Sequence, residues 1–220
     1  MNLSDSSKEK NMYKYSNKRK AQAENTKWNI YVNARRLFNE KGFYNVTMDE
    51  IAENSGVSVG TIYYYYKNKK EIIADYHQEL DSAYSQYYHD VILAPGFEDK
   101  STIEKLLQTI IFICETTAGQ GLENIRIVYP YMMRNEDFSA KVMHKDRPYM
   151  RILHHLFSEA QAKGDVGADV GIAQLISETT MLVRGCLIEW CIAGGGPDVR
   201  SFCYHLINTY LQGLTLAKHS

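Results

Sequence analysis

The stretch that decides the fold is residues 47–66, which read TMDEIAENSGVSVGTIYYYY. It opens with a capping box, in which the Thr47 hydroxyl accepts a backbone hydrogen bond and the Glu50 carboxylate reaches back to the cap. A helix is therefore predicted to start near Met48. A second helix follows Ser58, whose hydroxyl is a favourable N-cap. Two short helices joined by a tight turn predict a helix-turn-helix.

Small residues at fixed positions support this prediction. Ala52 lets the second helix cross close to the first, because its side chain is a single methyl group. Gly56 comes four residues later, where the tight turn needs a positive φ that glycine adopts without strain. Val57 and Ile62 then supply apolar side chains for the core between the two helices.

The residues before the capping box predict a further helix and complete a small domain. Apolar residues at helical spacing lead to a glycine that stops the helix: Ile30, Ala34, Leu37, Phe38 and Gly42. We therefore predict a three-helix domain over residues 25–70. Residues 1–24 are rich in Ser, Lys, Asn and Glu without periodic apolar positions, which predicts a flexible basic arm.

Charge divides the chain at about the same place. Residues 1–70 hold 13 of the 25 basic and 7 of the 26 acidic residues, a net charge of +6. The rest of the chain has a net charge of −7, although the whole chain is close to neutral. A basic head suggests a polyanion as its partner, while charge alone leaves a solvated basic face as an equal alternative.

The remainder of the chain also has helical patterns, and no alternating strand pattern competes with them. We predict an all-α fold whose C-terminal region, residues 71–220, is a second helical domain. Its predicted helices are one long helix from Asn68 to before Pro95, one from Ser101, one over residues 122–134 kinked at Pro130, one over residues 137–163 divided near Pro148, one over residues 169–193, and one after Pro197.

Composition excludes several classes of protein. An ordinary share of hydrophobic residues, 45%, argues against a disordered chain. Polar or charged residues interrupt every long apolar stretch, so no membrane span is predicted. The N-terminus has no apolar signal segment, so we expect a cytoplasmic, reducing location in which the four cysteines are free thiols.

The motifs together resemble the N-terminal domain of TetR-family transcriptional regulators. The resemblance runs over about residues 25–75, from Ile30 through Gly42-Phe43, Thr47 and Ser55-Gly56-Val57-Ser58-x-Gly60-Thr61-Ile62-Tyr63 to Lys69. It implies a homodimer that binds a palindromic operator on double-stranded DNA, usually as a repressor. It also implies a C-terminal domain that mediates dimerisation and binds a small-molecule effector, which releases the DNA.

The resemblance also implies which residues contact DNA. Thr47 corresponds to a capping residue that touches phosphate, and Lys69 to a phosphate-binding lysine. The remaining positions lie on the recognition helix and its cap: Ser58, Val59, Gly60, Thr61, Tyr63 and Tyr64. The recognition helix has no Arg, Asn or Gln for bidentate base contacts, so methyl contacts, tyrosine hydroxyls or DNA shape must contribute more to specificity.

The four successive tyrosines 63–66 point in different directions on a helix. We expect Tyr63 and Tyr66 to point inward, and Tyr64 and Tyr65 outward. Tyr66 departs from the family pattern, which commonly has Phe there, and a buried tyrosine hydroxyl requires a hydrogen-bond partner.

An enzyme is the main alternative class. Gly56-Val57-Ser58-Val59-Gly60 has the Gly-x-Ser-x-Gly form of an α/β-hydrolase nucleophile elbow, but that motif requires a preceding buried strand. Here a polar helical segment precedes it, so we interpret the match as coincidence and predict no enzyme. No cofactor is predicted, and His144, His154 and His155 lack the spacing of metal ligands. A helical protein-interaction module without DNA binding is a third alternative.

Dimerisation is predicted to use the last two helices, because both are more apolar than one buried face requires. The residues behind this prediction are Leu175, Ile176, Leu182, Leu187, Ile188 and Ile192 on one helix, and Phe202, Leu206, Tyr210, Leu211 and Leu214 on the other. Gly185 and Gly213 allow close helix approach. The alternative is that the pair packs only on its own body.

The effector site is predicted inside the C-terminal helical domain, between the helix that begins at Lys69 and those that follow. That first helix is also the expected lever between effector and DNA. Aromatic and Met character suits a small hydrophobic ligand, and the net charge of −7 disfavours a strongly anionic one. The candidate lining residues are Phe112, Cys114, Tyr129, Met132, Met133, Tyr149, His155 and Trp190.

Overall fold

The computed structural model describes residues 3–97 and 99–216, with the side chains of 18–75, 77–97 and 99–215. The described residues form two compact units that divide between Tyr76 and His77. The first contains α1 (Leu3–Lys41), a 3₁₀ turn (Phe43–Asn45), α2 (Met48–Asn54), α3 (Val59–Tyr65) and α4 (Lys69–Ala74). The second contains α5 (Tyr76–Tyr87) from its second residue onward, a π-helical turn (Tyr88–Ile92), α6 (Thr102–Ala118), α7 (Leu122–Arg134), α8 (Glu136–Val142), α9 (Pro148–Ala162), α10 (Ile172–Ile192) and α11 (Val199–Leu216).

The first unit confirms the predicted all-α helix-turn-helix. Ile30 and Leu37 of α1 are buried, and α1 ends where Gly42 adopts φ +81°. Gly56 has φ +65° in the turn between α2 and α3, as predicted. Buried Ile62 lies on the inner face of α3, so α3 presents its opposite face to solvent.

The first helix differs from its prediction, because it begins at Leu3 and includes most of the expected arm. Five Lys, one Arg, two Glu and two Ala in residues 3–24 are good helix formers and need no apolar face to extend an existing helix. Its described side chains from Lys18 to Lys20 are exposed. The absence of apolar periodicity was therefore the wrong criterion for its secondary structure.

The long helix predicted after Asn68 is also divided. Asn68 caps α4 by accepting hydrogen bonds from the backbone of Lys70 and Glu71, as predicted. The helix then ends at Ala74, with Asp75 as its C-cap, and α5 begins at Tyr76. Asp75 bonds through its side chain to other parts of the first unit, which no local pattern could reveal. The segment that was expected to act as a lever is therefore two helices, α4 and α5, and not one.

The second unit is built around α6, which packs against α9, α10 and α11. Leu106, Ile110 and Cys114 of α6 are almost completely buried. The capping box at Ser101 and the break before Pro148 are both confirmed. The four cysteines are buried free thiols, as predicted. No helix within the described ranges is both long and apolar enough to span a membrane.

Candidate nucleic-acid interface

The outer face of α3 is exposed to solvent. Val59, Gly60, Tyr63 and Tyr64 are exposed, and Thr61 is half-buried. Tyr64 has 82% of its surface accessible, and its ring makes an edge contact with Tyr65 at 5.0 Å between ring centres. This face can therefore enter a DNA groove without any rearrangement of α3.

The N-terminus of α3 carries two hydroxyls held in one orientation. The Ser58 hydroxyl accepts a hydrogen bond from the Thr61 amide at 3.1 Å, and the two hydroxyl oxygens lie 2.8 Å apart. Two hydroxyls have two protons, and the bond between them uses only one. The other proton is available to a phosphate or base acceptor at the positively polarised end of the helix.

The four tyrosines are oriented differently from the prediction at two positions. Tyr64 is exposed and Tyr66 is buried, as expected. Tyr63 is 50% exposed, so the prediction that it points inward is wrong, and Tyr65 is half-buried and not outward. The reason is that α3 ends at Tyr65 and Tyr66 adopts extended backbone. The spacing of three residues therefore does not put the side chains of Tyr63 and Tyr66 on one helix face.

The buried Tyr66 hydroxyl has the partner that its burial requires. It donates to Asp75 Oδ2 at 2.8 Å, and it lies 3.3 Å from the Lys27 carbonyl. The Lys27 ammonium pairs with the same carboxylate and lies over the Tyr66 ring. Burial and the nearby Asp75 charge raise the pKa of Tyr66 well above its usual value. The cluster ties the end of α3 to α1 and to the end of α4.

Lys69 is placed differently from its expected role at phosphate. Its ammonium donates to the backbone carbonyls of Phe43 at 2.7 Å and Val46 at 2.5 Å, and lies 3.5 Å from that of Tyr44. It also lies 4.7 Å from the centre of the Phe43 ring. Partial burial lowers the pKa of Lys69. The side chain therefore fastens the start of α4 to the turn before α2, and its donors are directed into the protein.

The N-terminus of α2 lies beside this turn. Thr47 is exposed, and its hydroxyl oxygen accepts from the Glu50 amide at 3.1 Å, so its own proton remains available. Tyr44, which was not among the predicted contacts, is 79% exposed on the 3₁₀ turn. Two adjacent aromatic residues, Phe43 and Tyr44, were its sequence sign, because neighbouring side chains on a turn point in different directions.

The hydrolase alternative lacks its structural requirement at Ser58. The residues before Ser58 form α2 and the turn, where a nucleophile elbow needs a buried strand. Ser58 is instead the N-cap of α3, and its hydroxyl is bonded to Thr61, which cannot act as a general base.

The eight candidate effector residues differ in their surroundings within the second unit. Cys114, Tyr149 and Trp190 are buried, with the Tyr149 hydroxyl 3.0 Å from that of Thr180 and the Trp190 indole donating to the Pro197 carbonyl. Phe112 stacks on Tyr87 with ring centres 3.8 Å apart. Tyr129 and Met132 are half-buried, Met133 is 75% exposed, and His155 lines a groove between α9 and α10. The effector role of these eight residues stays a prediction.

Comparison with known proteins agrees with the fold and the motif. Residues 30–76 match the family model of bacterial regulatory proteins, tetR family. The HTH-type transcriptional regulator UidR of Escherichia coli (strain K12) is 23% identical over 169 residues, which are 76% of this chain and 83% of that protein. The fatty acid metabolism regulator protein of Bacillus subtilis (strain 168) is 29% identical over 140 residues, 61% of this chain and 69% of that protein.

A solved structure shares the same fold. Thermus thermophilus FadR, a TetR-family transcriptional repressor in complex with lauroyl-CoA, superposes with a TM-score of 0.68 and 19% identity, over 84% of this chain and 92% of that one. The helix-turn-helix geometry and the match to the tetR family model coincide over residues 30–76. This part of the chain is therefore similar to the DNA-binding domain of bacterial regulatory proteins of the tetR family.

Proposed function

We propose that the protein is a homodimeric repressor that binds a palindromic DNA operator through α3 and releases it when a small hydrophobic ligand occupies the second unit. The observation that carries the DNA-binding part is the exposed face of α3, with Val59, Tyr63 and Tyr64 outside and Ile62 buried behind them. A recognition helix needs this combination, because only a fixed inner face holds the outer one in the major groove.

The proposed contacts divide between bases and phosphates. Val59, Gly60, Thr61 and Tyr64 are proposed to read base edges and thymine methyl groups. Thr47, Ser58 and Tyr63 are proposed to bind phosphates, and we add Tyr44 because it is exposed beside Thr47. Lys69 is proposed to act indirectly, through the backbone carbonyls that it holds.

Dimerisation through α10 and α11 is supported by one exposed apolar stripe on each helix. Met181, Gly185, Ile188 and Ile192 on α10 have the spacing i, i+4, i+7, i+11, and all are exposed. Phe202, Leu206 and Gly213 on α11 occupy the first, second and fourth positions of the same spacing and are also exposed. The space around both glycines is open, so a second helix can approach closely.

Several residues named for this interface belong instead to the core of the second unit. Leu175, Leu187 and Leu211 are almost completely buried within one chain. The proposed interface therefore depends on the exposed stripes alone. An operator with two half-sites one DNA turn apart requires a separation of about 34–36 Å between the two copies of α3 in such a dimer.

The test combines oligomeric state with DNA binding on the full chain. Light scattering at micromolar concentration is expected to give a dimer, and binding to a random 30-base-pair duplex is expected to weaken steeply as salt rises. Thr61→Ala is expected to reduce the preference for a selected operator over random DNA. A monomer, or an affinity for duplex that does not change with salt, would refute the proposal.

A further inference from the structure

Most of the positive charge of the first unit lies before its helix-turn-helix. Residues 1–20 hold six basic and two acidic residues, a net charge of +4. Residues 21–70 hold seven basic and five acidic residues, a net charge of only +2. Sequence-independent affinity for DNA depends on how many phosphates the Lys and Arg side chains of a protein neutralise. The positive charge available for this purpose is therefore greatest in the first twenty residues.

The helix-turn-helix region itself has few basic side chains that are free to bind phosphate. α3 contains no charged residue. Lys69 donates to backbone carbonyls, and Arg35 also has a partner. The basic residues that pair with carboxylates are Lys27, Arg36 and Lys41. Within residues 21–70, all of which are described, this leaves the two exposed lysines Lys67 and Lys70.

The first part of α1, residues 3–20, is called the α1 extension below. The first buried residue among those described in α1 is Ile30, so the extension lies well before the packed part of the helix. Its described side chains are Lys18, Arg19 and Lys20, and all three are exposed. Among the described residues, none of the three forms a hydrogen bond or an ion pair. The extension therefore presents cations that no described side chain neutralises.

α1 contacts the residues on either side of α3 close to the α1 extension. The Asn29 side-chain amide donates to the Ser55 carbonyl at 2.8 Å, in the turn that leads into α3. The Tyr66 hydroxyl, directly after α3, lies 3.3 Å from the Lys27 carbonyl. From Asn29 to Lys20 the helix rises about 14 Å, which equals about four base pairs along DNA. The cations therefore lie a few base pairs away from the contact between α1 and the turn.

The geometry of the α1 extension favours contact with phosphates over entry into the minor groove. An α-helix with its side chains is about 10–12 Å across, whereas the minor groove is about 6 Å wide. Three consecutive residues of a helix point in directions about 100° apart, so their cations are distributed over more than half of its circumference. Cations arranged in this way cannot all face base edges. They suit a position along the sugar-phosphate backbone, where contacts carry no sequence information.

We infer that the α1 extension binds the phosphate backbone of DNA next to the half-site that α3 reads, and that it supplies most of the salt-dependent affinity of the protein for DNA. The inference rests on the proposed function, because α3 must bring the first unit to DNA. Binding by the extension is independent of base sequence, and it lengthens the stretch of DNA that each protomer covers. It gives a binding role to residues for which the sequence predicted only a conformation.

The test is a fluorescence anisotropy titration of the full-length protein with duplex DNA at several salt concentrations. The extension variant is Lys18→Gln with Arg19→Gln and Lys20→Gln, because Gln keeps the helix propensity and removes the charge. A deletion of residues 2–20 removes the whole extension and none of the buried residues of α1. The matched control replaces one Arg and two Lys that are exposed in the second unit: Arg134→Gln with Lys141→Gln and Lys145→Gln.

On a random duplex of about 30 base pairs, we expect the extension variant to bind at least about tenfold more weakly than the wild type. The slope of log affinity against log salt should fall by about 0.9 for each phosphate contact that is lost. The loss of affinity should be equally large on a selected operator, since phosphates carry no sequence information. The deletion should lose at least as much, and the control variant should bind like the wild type.

Duplex length provides a second readout, because the proposed contacts lie outside the half-sites. The wild type should bind an operator with about ten additional base pairs on each side more tightly than the operator alone, since each protomer then has phosphates for its extension. The extension variant should bind the two duplexes almost alike. A variant that was merely less stable would bind both more weakly in the same ratio.

Each outcome separates this inference from the proposed function. A wild type that binds DNA, with extension and control variants of equal affinity and salt slope, would overturn the inference and leave the proposed function intact. A loss on the operator without a loss on random duplex would also overturn it, because the contact would then be to bases. So would an extension variant that binds DNA like the control but is monomeric in light scattering, because the partner of the extension would then be a second copy of the chain. A wild type that binds no duplex at any salt concentration refutes the proposed function, and this inference with it.

Discussion

Replacing Lys69 by Met tests which of two roles the Lys69 ammonium has. It is either an internal clamp, bonded to backbone carbonyls of the first unit, or a contact to a DNA phosphate. Met keeps the length and apolar stem of the side chain but removes the ammonium that donates to the Phe43 and Val46 carbonyls. A hydrogen bond from a charged group contributes about 1.5–3 kcal/mol net when buried. Lys69 is only half-buried, and water can replace it at both carbonyls. We therefore expect the free energy of unfolding of the first unit to fall by about 2 kcal/mol in total.

The assay is urea unfolding followed by the fluorescence of Trp28. The chain has two tryptophans, so a Trp190→Phe background makes Trp28 the single reporter, and it lies in the first unit. With a slope of about 2 kcal/mol per molar urea, the midpoint should fall by about 1 M. Lys70→Met is the matched control, because Lys70 is the exposed neighbour on the same turn of α4.

DNA binding provides the second measurement. A lost phosphate contact lowers the slope of log affinity against log salt by about 0.9, without changing stability. A lost clamp lowers stability and changes the slope no more than Lys70→Met does. The clamp would be refuted if Lys69→Met unfolded at the same urea concentration as Lys70→Met and lost about one unit of salt slope.

Three further predictions concern other parts of the structure. Tyr66→Phe removes the hydroxyl that donates to Asp75, while Asp75 stays paired to Lys27. We expect the free energy of unfolding of the first unit to fall by about 1–2 kcal/mol, measured by the same Trp28 assay. An unchanged urea midpoint would contradict the stabilising role of this cluster. Tyr64→Ala should weaken binding to a selected operator more than binding to random duplex in a fluorescence anisotropy titration. The exposed Tyr64 ring contacts nothing that stabilises α3 apart from Tyr65. Equal losses on both DNAs would make Tyr64 a contact to the DNA backbone. Ile188→Glu places a charge in the exposed stripe of α10, so light scattering should show monomers. The melting temperature of the single chain should not change. A dimer that persists would exclude this interface.

Features that depend on neighbouring residues were predictable from the sequence. The caps at Thr47, Ser58 and Ser101 and the positive φ of Gly56 are set within four residues, so residue type and spacing determine them. The predicted need of the Tyr66 hydroxyl for a partner was also confirmed. Which partner it has was not predictable, because Asp75 and Lys27 meet it only after α1, α3 and α4 have packed.

Features that depend on distant segments were the ones predicted wrongly or missed. Lys69 bonds to backbone carbonyls more than twenty residues away in the sequence. Its position in the family motif could therefore not show that its hydrogen-bond donors point inward. The groove is built from α9 and α10. Arg151 and Arg184, which line it, are far apart in the sequence and come to one surface only when the two helices lie side by side. Residues 141–155 contain four basic residues and one acidic residue, and the net charge of −7 over residues 71–220 concealed this local excess of positive charge.

Selection of bound duplexes from a random pool tests the central claim most directly, because it requires both α3 recognition and two-fold symmetry. The account predicts that the full-length protein enriches a palindrome whose half-sites are centred about one helical turn, 10–10.5 base pairs, or a multiple of it apart. It also predicts that Thr61→Ala shifts or abolishes the enriched sequence. A pool that shows no enrichment, or a single half-site without symmetry, would contradict it.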